Sequence, residues 1–338
     1  MGKRKPKACR LQLAADCSRT VSSMSRTGGC APCVRVLRQQ APDDADRGHL
    51  RAEELVADLN VGRVPEPQDF SRVTRVSGDV ALISDVHAPL HDARWLARMC
   101  EAAKKMGIRR LVLGGDFMDF SEISRFPRDR RRVDAVEALR ASVALIDQLA
   151  KAFPEGIWSI KGNHELRLER LIHDATFGRG SAATMLADFE QEEAEALSFR
   201  ARYVAVLDDW TRKVAPSAVG VVHWLPEAEI EIDGPAGERP WRVIHQRNGS
   251  RNATIEATNH WQRHQQPVIC THTHVVGMRL APDGRTPLVN LGCATVEGWH
   301  EYAYREPGGY PHWQRSFGLI VGGRLTLYPD SPYLSAVG

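Results

Sequence analysis

Five short polar clusters stand out because each follows an apolar run: Asp85-Val86-His87, Gly115-Asp116-Phe117-Met118-Asp119, Gly162-Asn163-His164-Glu165, His245, and His272-Thr273-His274. Carboxylate, imidazole and amide oxygen together suit manganese, iron or zinc, whereas a calcium site would use oxygen alone. No cysteine joins the set, which excludes a structural zinc site at these positions. Residues two apart on an extended segment project to the same side, so both ends of D-x-H and of H-x-H can reach one centre. The glycines let backbone pass close to a metal or substrate with no Cβ in the way.

Elements must hold these clusters in place, and the sequence supplies them. Val80–Ile83, Leu111–Leu113 and Ile157–Ile160 read as buried strands that stop at the first three clusters. Between them Ala93–Met106 and Val133–Phe153 show helical spacing of apolar residues. Alternation of strand and helix makes a sheet with covering helices, and such sheets carry their chemistry at strand ends. The second half is richer in strands, at 219–224, 241–245, 268–270, 288–291, 319–321 and 325–328, with a helix at 253–261. His223 also follows an apolar pair and competes with His245 for the fourth cluster. His245 lies 27 residues before His272, room for a helix and a strand, which favours His245.

Of the 338 residues 43% are hydrophobic and 26% charged, an ordinary balance for a globular protein. No apolar run is long enough to span a bilayer. The basic start is broken by Arg10, Gln12 and Asp16, a poor signal peptide, so a cytoplasmic location is expected. The formal charge of +3 hides an asymmetry: residues 1–40 hold nine Lys/Arg against the single acid Asp16. Such an excess on an acidic body is compatible with a polyanionic partner, and equally with a solvated tail. Cys9, Cys17, Cys30 and Cys33 lie in this arm, the last two as C-x-x-C, and could hold a zinc ion or remain free thiols. Residues 1–60 therefore read as a basic, cysteine-containing arm, partly disordered or zinc-binding, 61–71 as a proline linker, and 72–338 as the catalytic domain. The sequence carries no signal for an oligomeric state.

The order D-x-H, G-D-x-x-D, G-N-H-E, H, H-x-H resembles the calcineurin-like metallophosphoesterase superfamily, over roughly residues 76–330. The resemblance implies an α/β fold of two facing β-sheets flanked by helices, with two metals at one edge of the sandwich. It implies that Asp85, His87, Asp116 and His274 hold one ion and Asp116, Asn163, His245 and His272 the other, Asp116 bridging. Manganese is the expected metal, with iron, zinc or nickel as alternatives. His164 resembles the family's non-ligand histidine, which donates to the phosphate or leaving oxygen, and Asp119 would orient it. Two departures occur: Thr271 stands where the last motif usually opens with glycine, and Gln246 follows His245 where glycine is usual. Arg130, Arg131, Arg132 and Arg167 are candidate phosphate-binding cations, with solvated helix starts as the alternative reading. The implied activity is hydrolysis of a phosphoester, with nucleic acid favoured as substrate. A small-molecule, nucleotide or protein phosphatase and a non-catalytic nucleic-acid-binding protein are the alternatives.

Overall fold

The computed structural model describes residues 7–8, 20–21, 73–120, 135–176, 199–246, 254–296 and 313–330. Two compact units are distinguished, Met1–Phe70 and Ser71–Gly338. In the first, the described residues form one antiparallel ladder, β1 (Lys7–Ala8) with β2 (Thr20–Val21). Cys9, Cys17, Cys30, Cys33 and the 61–71 linker lie outside the described residues, as do Arg130, Arg131 and Arg132.

The second unit begins with β3 (Arg75–Val76), β4 (Val80–Ile83), helix α1 (Ala93–Lys105), β5 (Arg110–Leu113), α2 (Ala135–Ala152), β6 (Gly156–Ser159) and α3 (Glu165–Thr176). It continues through α4 (Phe199–Val214), β7 (Val222–Trp224), β8 (Glu229–Ile232), β9 (Trp241–His245), α5 (Ile255–His264) and β10 (Val268–Thr271). The last strands are β11 (Val276–Leu280), β12 (Pro287–Leu291), β13 (Ser316–Val321) and β14 (Arg324–Pro329).

These strands make two six-stranded sheets, ordered β14-β13-β4-β5-β6-β7 and β11-β12-β10-β9-β8-β3. Within the first, β4 to β7 run parallel; within the second, β9, β10 and β12 do. The two sheets face each other. Val80, Leu82, Val112 and Ile160 of the first side pack with Ile230, Val243, Ile269, Val289 and Leu291 of the second. The alternate residues Ala81, Ile83, Leu111 and Leu113 point outward to α1, α2 and α4. On the outer face of the second sheet, Val268 and Cys270 meet Ala257 and Trp261 of α5. A strand covered on both faces must be apolar at every position, which is why β4 reads Val-Ala-Leu-Ile rather than as an alternation. The expected pair of facing sheets with helical flanks is the observed fold.

Helix α1 shows how the sequence fixes an element. Asp92 caps it by accepting from the backbone N–H groups of Arg94 and Trp95 at 3.0 and 3.1 Å. Trp95, Leu96, Met99 and Ala103 form its buried stripe, and Lys104 and Lys105 sit in the last turn, where the helix dipole favours cations.

Some expectations need correction. The strand expected at 219–224 is only Val222–Trp224, because Pro216–Ala218 form a 3-10 turn and Gly220 turns the chain at φ +77°. The helix expected at 253–261 runs from Ile255 to His264, since Thr254 sits at φ +70°. Helix α4 and strands β8 and β11 were not anticipated. In β8 the Glu-Ile-Glu-Ile alternation puts Ile230 and Ile232 inward. Strand β11 lies at a sheet edge with Met278 and Leu280 exposed, so no hydrophobic pattern marked it.

Candidate metal centre

All five sequence clusters meet at one end of the sandwich, where the C-terminal ends of β4, β5, β6, β9 and β10 lie. Strand β4 leads into Asp85 and His87, β5 into Asp116, β6 into Asn163 and His164, β9 ends on His245, and β10 leads into His272 and His274. The loops after β4 and β5 run side by side: the N–H groups of Asp85, His87 and Ala88 donate to the carbonyls of Gly115, Asp116 and Phe117, and that of Asp119 returns to Ala88.

The local backbone is not extended as the D-x-H and H-x-H spacing suggested. Asp85, His87, Asp116, His272 and His274 have φ of 51°, 49°, 48°, 87° and 59°. They are five of the seven non-glycine residues with positive φ among the described residues. Side chains reach the centre because the chain turns sharply at these five candidate ligands. Conformations of this kind cost about 1–3 kcal/mol each and persist where surrounding bonds over-determine them. Two glycines permit the close approach. A Cβ on Gly115 would lie 2.4 Å from the His245 ring, and one on Gly162 would lie 2.2 Å from Asp116 Oδ1.

The side chains form two adjoining groups. In one, His274 Nε2 is 3.1 Å from Asp85 Oδ1 and 3.3 Å from His87 Nε2. In the other, His245 Nε2 is 3.3 Å from Asp116 Oδ2 and 3.2 Å from Asn163 Oδ1, and His272 Nδ1 is 4.0 Å from Asp116 Oδ2. Asp85, His87, Asp116, His245 and His274 are buried; the His272 side chain is 22% exposed. Separations of 3.1–3.3 Å match two atoms that each lie about 2.1 Å from one tetrahedral ion. His272 Nδ1, the nitrogen that faces Asp116, is buried and has no partner within hydrogen-bond distance among the described residues. The donor set and its spacing therefore fit divalent metal ions.

Charge tells the same story. Burial alone would raise the Asp85 carboxyl, but the adjacent His274 and His245 outweigh it and bring it down to about 2. Burial would lower His245, yet the Asp116 carboxylate beside it holds the imidazole up to about 10. Asp116 itself lies well below the usual carboxylate range despite burial, because His245 and His164 face it. Both carboxylates are thus held in the ionised form that a metal would need, while His245 would have to release a proton to bind one.

His245 and His223 are now placed. His223, on β7, is exposed and stacks on Trp158 at 5.2 Å, away from the cluster. One of the two departures noted in the sequence, Thr271, has a physical account. Thr271 Oγ1 lies 2.7 Å from the Gly114 carbonyl, to which it donates, and 3.0 Å from His245 Nδ1. His245 Nδ1 is itself 2.9 Å from the Gly114 carbonyl, so donation there turns Nε2 toward Asp116 and Asn163. Gln246 is buried beside Cys270, and the structure does not explain its place in the motif.

His164 is buried beside this centre, its Nδ1 3.2 Å from Asp119 Oδ1. Asp119 Oδ1 is also 3.5 Å from His87 Nδ1, and the His87 and His164 rings meet edge-on at 4.5 Å. The same three residues each offer a ligand atom within 4.8 Å of the others. Arg167 Nη1 donates to the Phe120 carbonyl at 3.2 Å and approaches His164 Nδ1 at 3.3 Å. The guanidinium is thus placed beside His164. Ser84 and Glu165 were missed as contributors. The Ser84 hydroxyl donates to Asp85 Oδ2 at 2.5 Å, and Glu165 binds the backbone of two ligand loops.

No family model matches the chain, nor does any curated protein sequence. Solved structures similar to it include a novel archaeal phosphodiesterase, 11% identical with a TM-score of 0.35, over 74% of this chain and 99% of that one. YfcE, a phosphoesterase from E. coli, is 13% identical with a TM-score of 0.33, over 75% and 100%. Vps29 from Entamoeba histolytica complexed with zinc is 12% identical with a TM-score of 0.32, over 74% and 97%. In motif order and in its two facing sheets the chain resembles the calcineurin-like metallophosphoesterases.

Proposed function

We propose that this chain is a divalent-metal-dependent phosphoesterase whose centre holds two ions. The observation that supports it is the convergence of Asp85, His87, Asp116, Asn163, His245, His272 and His274 from two sheets, all but Asn163 and His272 buried, with candidate ligand atoms spaced for metal. Asp85, His87 and His274 would hold one ion, Asn163, His245 and His272 the other, and Asp116 both. Two divalent ions bound there supply charge neutralisation for a phosphoryl group and lower the pKa of water.

The chain's own residues do the rest. His164 stands beside the ligands without belonging to either group, placed to donate from Nε2 to the phosphate or to the leaving oxygen. Asp119 accepts from Nδ1 and so orients the ring; donation from Nε2 as well requires the imidazolium form, whose charge the Asp119 carboxylate would balance. Arg167, one turn along α3, adds a fixed positive charge next to His164 that suits an anionic substrate. Burial excludes bulk water around Asp85, His87 and His164, which strengthens each of these interactions.

A phosphodiester of nucleic acid is the substrate favoured by the excess of eight positive charges in residues 1–40. The test is a screen of Mn2+, Fe2+, Zn2+ and Ni2+ against a chromogenic phosphodiester, a phosphomonoester, DNA and RNA. Metal-dependent turnover of the chromogenic diester and of a polynucleotide is expected. Polynucleotide affinity should fall steeply with salt, by a log–log slope of about −0.7 to −0.9 per phosphate neutralised. Cleavage of small esters alone would leave a small-molecule or protein phosphatase, and binding without any turnover a non-catalytic protein.

A further inference from the structure

Glu165 opens α3, immediately after Asn163 and His164, and its side chain is buried. A glutamate in a first helical turn ordinarily accepts from N–H groups of its own helix start, and one of its bonds is of that kind: Gly162 N–H donates to Oε2 at 2.9 Å. The other two are not. Asp116 N–H donates to the same oxygen at 3.0 Å, and Met118 N–H donates to Oε1 at 2.9 Å. Those donors lie 49 and 47 residues back along the chain, in the loop that follows β5.

The bond is returned from the opposite direction. His164 N–H donates to Asp116 Oδ1 at 2.8 Å, leaving Asp116 Oδ2 turned toward His245 and His272. Each of the two loops therefore offers a carboxylate to the other's backbone. Gly162 makes the approach possible, since a Cβ there would also meet Glu165 Oε2 at 2.8 Å. One turn further on, Glu169 pairs with Lys161 at 2.8 Å in a buried ion pair, fixing the residue before Gly162 to the same helix. Holding a carboxylate this deep is costly unless its oxygens are satisfied, and three backbone donors satisfy Glu165.

We infer that Glu165 is a positioning residue for the metal centre: its carboxylate locks the Asp116 loop to the Asn163–His164 loop and so sets which Asp116 oxygen faces the ions. This rests on the metal reading given above. A neutral amide could not replace it. Glutamine keeps one acceptor oxygen for Asp116 and Gly162 and turns an NH2 group onto the Met118 N–H, donor against donor.

The experiment is Mn2+ titration of the full-length chain by calorimetry, wild type against E165Q, together with amide hydrogen exchange of the metal-free wild type. Two Mn2+ binding steps are expected in the wild type. In E165Q the step that depends on Asn163, His245 and His272 should weaken about 10–100-fold, the usual cost of removing a partner that orients ligands. The step that depends on Asp85, His87 and His274 should change less. A purely structural role would lower thermal stability and leave both steps alike, which would overturn the proposal. In the metal-free wild type the amides of Asp116, Met118 and Gly162 should exchange slowly. Exchange as fast as in unstructured chain would overturn the proposal even if E165Q fails to fold. A wild type that takes up no Mn2+ while those amides stay protected would overturn the metal reading on which it stands.

Discussion

The two sheets contribute to the centre in different ways. The first sends two carboxylates, the His87 imidazole, an amide and His164 from the ends of β4, β5 and β6, and its loops are tied by backbone bonds to one another and to Glu165. The second sends imidazoles alone, His245, His272 and His274, and these are held by contacts that cross the gap. His245 Nδ1 and Thr271 Oγ1 both reach the Gly114 carbonyl, and His272 N–H donates to Asp85 Oδ2 at 3.1 Å. One half is a self-supporting cradle and the other is positioned by the first. The apolar core between the sheets, with Leu82 and Val112 packed among Val243 and Ile269, therefore does more than stabilise the fold. It brings the imidazoles to within reach of the carboxylates.

The sharpest way to break that arrangement is Asp116→Asn, which removes the one carboxylate proposed to serve both ions. Both metal-binding steps should weaken, and turnover should fall by more than the about 10²–10³-fold that loss of a single oxyanion donor costs. Retention of one step at full affinity, read by calorimetry, would remove Asp116 from the bridging position. His164→Ala comes next. Turnover should drop by about 10²–10⁴-fold, the weight of a general acid, with metal content at the wild-type level. Loss of bound metal in elemental analysis would make His164 a ligand.

Ile269→Ala tests the core between the sheets. Ile269 is fully buried there, and denaturant unfolding should show a loss of about 2–5 kcal/mol. A change under 1 kcal/mol would contradict tight packing of the two sheets. The smallest effect is expected from Thr271→Val, which keeps shape and removes the hydroxyl. Stability should fall by about 0.5–1.5 kcal/mol, and metal affinity should weaken only for the group containing His245. Equal weakening of both groups would contradict the placement of Thr271.

The clusters were legible because ligand chemistry leaves its mark in residue type, and buried strands leave theirs in apolar runs. Asp85, Asp116 and Asn163 could be placed at strand ends from the sequence, and the three strands before them fall within a residue or so of their positions. The positive φ at Asp85, His87, Asp116, His272 and His274 left no such mark, since even for aspartate and histidine it is uncommon and set by tertiary context. Glu165 could be read as part of a motif, but two of its three donors come from another strand's loop, and no local pattern records that. His223 against His245 turned on sheet order. Strand β7 pairs with β6 and leaves His223 exposed, whereas β9 pairs with β10 and carries His245 to the centre.

The central claim is that one centre, built from both sheets, holds two divalent ions. The measurement that tests it most directly is metal stoichiometry by elemental analysis after Mn2+ loading and dialysis, in the wild type and in His245→Ala. The account expects two ions per chain in the wild type and about one in the variant, the survivor held by Asp85, His87 and His274 with Asp116. A single ion in the wild type, or two in the variant, would contradict it.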